Sequence, residues 1–244
     1  MARLPVPGSL LVPDWHLSPD SEEYFRRSHR KRFGLLDAPV LPPQLAVDTV
    51  GYKVFLCGKS GVGKTALAAH LAGQEVPSLH HETTGIQTSV VLWPAMLRAS
   101  GRVLLFRLQL WDCGENALRR FDHLLPACKD QADAVLFLFS FTDRTSFDDL
   151  SNQIARGSDP SDSAVQLVVG TKFDLFMHSD VTEREVRDFQ QVWGVPVFRV
   201  QSGGATVGLE DIAPLLTTLA ERLWHRDMQA AGLCAPPQPE PTHS

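Results

Sequence analysis

Gly58-Lys59-Ser60-Gly61-Val62-Gly63-Lys64-Thr65 follows directly on the apolar run Val54-Phe55-Leu56-Cys57, and a helix-compatible stretch comes next. Strand, glycine-rich loop and helix, in that order, make a cradle for phosphate. The glycines let successive main-chain N–H groups converge on phosphate oxygens. The start of the helix, expected over 63–73, adds its dipole. Ser60, Gly61, Val62, Gly63, Lys64, Thr65 and Ala66 then surround the phosphates. The Lys64 ammonium neutralises the outer phosphates and the Thr65 hydroxyl is a ligand for Mg²⁺. A chance glycine-rich turn would not carry the full eight-residue pattern in this context.

Outward from that loop, short apolar runs alternate with helical stretches. Strands are expected at 52–57, 86–93, 103–111, 134–140, 165–170 and 196–200, and helices at 63–73, 116–129, 145–156, 182–193 and 207–225. This is an α/β pattern, a P-loop fold with a mostly parallel six-stranded sheet and helices on both faces. Pro94 to Gly101 leaves no room for a helix, so the second and third strands should form an antiparallel hairpin. The domain is expected over 51–226, between an N-terminal extension (1–50) and a proline-rich, disordered tail (227–244). In the extension, Ser21 to Phe33 predicts a short helix with a basic cluster at Arg26, Arg27, Arg30, Lys31 and Arg32. The cluster reads either as a docking surface for an acidic partner or lipid headgroup, or as a solvated face beside Tyr24, Phe25 and Phe33 packed on the domain.

A formal net charge of −5 gives no electrostatic reason to expect nucleic acid as a partner. Cys57, Cys113, Cys128 and Cys234 show no paired metal spacing, which fits a reduced, cytosolic compartment. No run of about 18 apolar residues predicts a membrane span. The ending Pro241-Thr242-His243-Ser244 offers no cysteine for prenylation. Membrane association is therefore expected through partners or the basic N-terminal segment, without a direct lipid anchor.

Three downstream segments decide the nucleotide. Val168-Val169-Gly170-Thr171-Lys172-Phe173-Asp174 resembles the Asn-Lys-x-Asp element of small GTPases, and Leu110-Trp111-Asp112-Cys113-Gly114-Glu115 resembles the Trp-Asp-Thr-Ala-Gly-Gln-Glu stretch of the Ras superfamily. His81-Glu82-Thr83-Thr84-Gly85-Ile86 resembles that superfamily's first switch. By this resemblance Asp174 accepts the N1–H and 2-amino hydrogens of guanine, donors that adenine lacks. Lys172 lies over the purine, and Thr171, in place of the usual asparagine, keeps only part of a bridge to the phosphate loop. Asp112 holds Mg²⁺ through a water, and Gly114 offers its N–H to the γ-phosphate. Thr83, nineteen residues after Lys64, closes on Mg²⁺ and is preferred to Thr84 on that spacing. Ser202 and Gly203 in Val200-Gln201-Ser202-Gly203 take the place of the Ser-Ala-Lys loop that meets the guanine carbonyl. The second switch is one residue short, reading Asp-x-Gly for Asp-x-x-Gly. The water-positioning place falls on Glu115 or Asn116, and neither is glutamine.

Ser140-Phe141-Thr142-Asp143-Arg144-Thr145-Ser146-Phe147 is similar to a Rab stretch, while the missing lipidation and altered second switch are similar to the Rem group. The mixture resembles the Rem- and Rab-like small GTPases of the ciliogenesis and planar polarity effector group. That resemblance implies a cytoplasmic, GTP/GDP- and Mg²⁺-binding switch at the cilium basal body. It also implies work with effector partners such as Fuzzy and Inturned, in vesicle or cargo transport for cilium assembly and in exocytosis. Two readings of its chemistry stand side by side: a slow GTPase with a degenerate second switch, and a docking module that holds GTP with little or no hydrolysis. An adenine-specific P-loop kinase would have no use for Thr-Lys-x-Asp.

Overall fold

The computed structural model describes residues 5–28, 39–76, 83, 85–114, 132–157, 164–201 and 208–233. In chain order the elements are α1 (Glu22–Ser28), β1 (Asp48–Cys57), α2 (Lys64–Leu71), β2 (Ile86–Met96) and β3 (Val103–Cys113). They continue with β4 (Ala134–Ser140), α3 (Arg144–Asp148), α4 (Leu150–Gly157), β5 (Val165–Thr171), α5 (Glu183–Trp193), β6 (Val197–Arg199) and α6 (Leu209–Ala230). The expected helix over 116–129 lies outside the described residues.

The sheet runs β2-β3-β1-β4-β5-β6. Among the described strands the β2–β3 pair is antiparallel and the other four pairings are parallel. A parallel strand with both faces covered reads as a continuous apolar run, and β4 obeys: every residue of Ala134-Val135-Leu136-Phe137-Leu138-Phe139-Ser140 is buried. Its even and odd positions divide between two cores. Leu136 and Leu138 join Leu67 and Leu71 of α2 and Leu216 and Leu219 of α6 on one face. Phe137 and Phe139 meet Leu150, Ile154 and Val186 on the other.

Two strand ends differ from the sequence expectation. β1 starts at Asp48 rather than at 52, because β3 is long enough to pair Asp48 with Leu104 and recruit the polar residues before Tyr52. β2 continues through Pro94 to Met96; as the edge strand of the sheet it tolerates a residue without an N–H. The last helix runs to Ala230, five residues past its expected end. Tyr52 Oη donates to Asp227 Oδ2 at 2.8 Å and Arg226 pairs with Asp133 at 2.7 Å, so its final turns are tied to the sheet.

Part of the N-terminal extension is built into the domain. Leu11 forms an antiparallel bridge with Leu97 beyond β2, flanked by Val12 N–H donating to Met96 O and Arg98 N–H donating to Leu10 O. Trp15 and Phe25 are buried, and the Phe25 ring meets Trp93 of β2 edge-on at 5.0 Å between centroids. Glu221 of α6, 4% exposed, accepts the main-chain N–H groups of Gly8, Leu10 and Leu11 at 2.9, 2.8 and 3.2 Å. Three donors on one carboxylate compensate its loss of water. Val47 packs against Val90, Leu92 and Leu105, on the opposite side of β2–β3 from Phe25. Of the expected helix between Ser21 and Phe33, Glu22–Ser28 is formed; residues 29–38 fall outside the described part, and with them most of the basic cluster.

Candidate nucleotide site

β1 delivers the chain to Gly58, and α2 begins at Lys64 with Gly63 as its N-cap at φ 96°, a left-handed conformation that favours glycine. Between them the loop folds over the Lys64 side chain. That side chain is 8% exposed, and its Nζ donates to the carbonyls of Gly58 at 2.8 Å and Lys59 at 2.9 Å. Ser60 and Gly61 form the exposed crest of the loop, Val62 is buried below it, and Ala66 lies in the first turn of α2.

Two further segments fasten this loop. At the end of β5, Thr171 is 2% exposed, and its Oγ1 lies 2.5 Å from Val62 O and 3.1 Å from Phe139 O. A hydroxyl has one proton to give, so the shorter contact to the phosphate loop holds it. The bridge expected to be partly lost with the asparagine is kept by a different atom. Lys172, at φ 57°, directs its Nζ to Gly61 O at 3.1 Å, so its stem crosses beside the loop. Asp174 lies exposed in the first turn of the 3-10 helix Phe173–His178.

The metal-ligand candidates meet although they come from three distant stretches. Thr65 Oγ1 donates to Asp112 Oδ2 at 2.5 Å, and the Thr65 and Thr83 hydroxyls are 3.0 Å apart. Thr83 Oγ1 also reaches Asp112 Oδ2 at 3.3 Å. Asp112 is 2% exposed, yet its second oxygen, Oδ1, is buried with no hydrogen-bond partner among the described residues. A buried carboxylate oxygen left without a donor is costly. A hydrated hard cation would supply one, and a set made only of oxygens suits Mg²⁺. The residues present therefore fit the ion.

Gly114 is brought to the same place, where its N–H donates to Gly85 O at 3.1 Å, continuing the β2–β3 ladder. Glu115, Asn116, Ser202 and Gly203 lie outside the described residues.

Two contributors escaped the sequence reading. Lys59 Nζ donates to Thr145 O at 2.9 Å, linking the phosphate loop to α3; it occupies a position that the motif leaves open. His70, 4% exposed on α2, bonds the backbone of Gln201, next to the expected guanine-carbonyl loop. Burial pushes its pKa below the ordinary value, against the opposing pull of that bond and of Asp174 and Asp211. A lone histidine among the apolar residues of a helix was the available signal.

The sequence model of the Ras family matches residues 53–217. The chain belongs to the Ras family. A Ras-family domain implies a guanine-nucleotide site, and the match covers the phosphate loop, Thr83, Asp112 and Asp174. Among full-length relatives, the protein named ciliogenesis and planar polarity effector 2 of Danio rerio is 63% identical, over 92% of this chain and 90% of that protein. The human protein of the same name is 54% identical, over 99% of this chain and 100% of its own. Ras-related protein Rab-1D of Dictyostelium discoideum is 25% identical, over 64% of this chain and 72% of that protein.

Proposed function

We propose that this chain is a guanine-nucleotide-binding switch of cilium formation. The observation that carries the nucleotide reading is the meeting of Thr65, Thr83 and Asp112 around an unsatisfied buried carboxylate oxygen, beside a phosphate loop fastened by Thr171 and Lys172. Lys64 exchanges its two carbonyl partners for the outer phosphates, and Asp174 selects guanine through N1–H and the 2-amino group. Thr65, Thr83 and, through a water, Asp112 would hold Mg²⁺, which would supply positive charge against the phosphates. The test is the nucleotide that co-purifies, identified by chromatography after denaturation. GTP or GDP is expected, and Lys64→Ala should carry neither; an adenine nucleotide in the wild type refutes the site.

The cellular part of the proposal rests on the relatives named for ciliogenesis and planar polarity. The chain acts in the cytoplasm at the basal body, with effector proteins such as Fuzzy and Inturned, in cargo transport to the cilium and in exocytosis. A tagged chain that stays away from basal bodies in ciliated cells refutes that placement. A second reading, a docking module that holds GTP with little hydrolysis, is favoured by β3 running through Asp112 to Cys113, with the Gly114 N–H bonded to Gly85 O just beyond its end. Efficient single-turnover hydrolysis by the isolated protein removes it.

A further inference from the structure

β1 and β3 run parallel and in register up to Leu56 and Asp112. The next step of that register sets Cys57 beside Cys113, the last residue of each strand. Adjacent strands lie about 4.8 Å apart, inside the span of about 4.4–6.8 Å that a disulfide allows between Cα atoms. Paired residues of parallel strands share a face, and Phe55 and Trp111, one full period earlier, both belong to the second core. Cys113 is buried in that same core and Cys57 packs against it. Both carry thiols. Cys113 has no exposed surface, whereas Cys57 is half-buried and its Sγ donates to Gln153 Oε1 of α4 at 3.6 Å. A reachable thiol with a shielded one beside it is the arrangement in which oxidation of the first is resolved by the second.

We infer that Cys57 and Cys113 are a peroxide-sensitive disulfide site whose closure loosens the magnesium-dependent hold on nucleotide. The consequence rests on the nucleotide reading above; the pairing itself does not. The Cys57 thiolate attacks one oxygen of hydrogen peroxide, the O–O bond breaks, and the departing hydroxide takes the proton that Cys57 gave up. The sulfur of Cys113 then attacks the sulfenic sulfur of Cys57: S–S forms, S–O breaks, and the Cys113 proton leaves with the hydroxide as a second water. Two thiols and one peroxide thus give one disulfide and two waters. Side chains that stand parallel keep the strand spacing, but a disulfide brings its Cβ atoms to about 3.8 Å, so the strand ends must close by on the order of 1 Å. On its other side β1 is paired at Cys57 with Phe137 of β4. The other neighbour of β3 is β2, the edge strand. Closure therefore falls on the end of β3, and Asp112, the residue before Cys113, is drawn from the place where it meets Thr65.

The test treats the full chain, loaded with GDP in Mg²⁺, with hydrogen peroxide and then alkylates the remaining thiols. Peptide mapping without reduction should find the peptides of Cys57 and Cys113 joined, and dithiothreitol should part them. Oxidation that leaves these two unjoined, or that joins either of them to Cys128 or Cys234 instead, overturns the inference. Release of GDP in Mg²⁺ should rise by about tenfold on oxidation, with the rate in excess chelator unchanged and the rise reversed by dithiothreitol. Cys57→Ala should show neither the link nor the rise. A link without faster release, an equal rise of both rates, or a rise that persists in Cys57→Ala each overturns the regulatory consequence. A reduced wild-type chain that retains no guanine nucleotide would instead refute the nucleotide reading, while the mapping would still decide the pairing.

Discussion

Thr171→Val removes one hydroxyl from the site and leaves its shape nearly intact. The wild-type side chain is 2% exposed, and its Oγ1 is 2.5 Å from the carbonyl of Val62, a residue with no exposed surface. Its other neighbour, Phe139 O, is 3.1 Å away on β4. The substitution thus takes the donor from an acceptor in the phosphate loop and puts a methyl group in its place. Leaving a buried acceptor unsatisfied costs about 1–3 kcal/mol. Because Val62 directly precedes the N-cap of α2, that cost falls on the loop geometry that holds phosphate. It should appear as release of nucleotide faster by roughly fivefold to a hundredfold. The assay is displacement of a fluorescent guanine nucleotide by unlabelled excess, in Mg²⁺, with Thr171→Ser as the control that keeps the hydroxyl. Release from Thr171→Val within twofold of wild type would refute the argument, even if its Tm fell.

Three other outcomes follow from the same geometry. Asp174→Asn should move base preference from guanine towards xanthine, because an amide accepts from N1–H and donates to the carbonyl that replaces the 2-amino group; competition with xanthosine and guanosine diphosphates reads the change. Glu221→Leu leaves the N–H groups of Gly8, Leu10 and Leu11 without their acceptor, and a loss of at least about 3 kcal/mol is expected, measured by denaturant unfolding together with new proteolytic cleavage near residue 10. His70 has its folded pKa below the unfolded value, so the unfolded chain takes up the proton first. Its contribution is complete above about pH 7 and is lost as pH falls through 6.5 towards the folded pKa. Comparing Tm between about pH 5.5 and 8 for wild type and His70→Gln should show a shallower fall in the variant.

The phosphate loop was legible because all its chemistry is contiguous and its flanking strand and helix are local. Thr83 was read from its spacing from Lys64 and its flanking residues, and Asp112 from the Trp-Asp-x-Gly residues around it. The β2–β3 hairpin followed from the shortness of Pro94 to Gly101. Other features depend on partners that no local pattern reveals. Glu221 sits between Ala220 and Arg222 in an amphipathic helix and reads as a solvated position, yet amides more than 200 residues away bury it. Trp15 and Phe25 stand in a proline-rich stretch without strand alternation, and they become core where Phe25 meets Trp93 and Trp15 packs on Phe25. The use of the Gly114 N–H is set by the β2–β3 register, which pairs Ile86 with Cys113. The motif around Asp112 gives no sign of that register.

The Glu221 clasp also dictates the order in which the protein can be completed during synthesis. Residues 8–11 leave the ribosome ahead of their apolar platform around Trp93 and Leu97. The carboxylate that accepts their amides is made 210 to 213 residues later. At about 5–20 residues per second, the first segment of the chain spends on the order of ten to forty seconds with those donors open. The 8–11 segment is therefore made long before it is sealed, and a ribosome stalled before α6 would hold all six strands with that segment not yet locked.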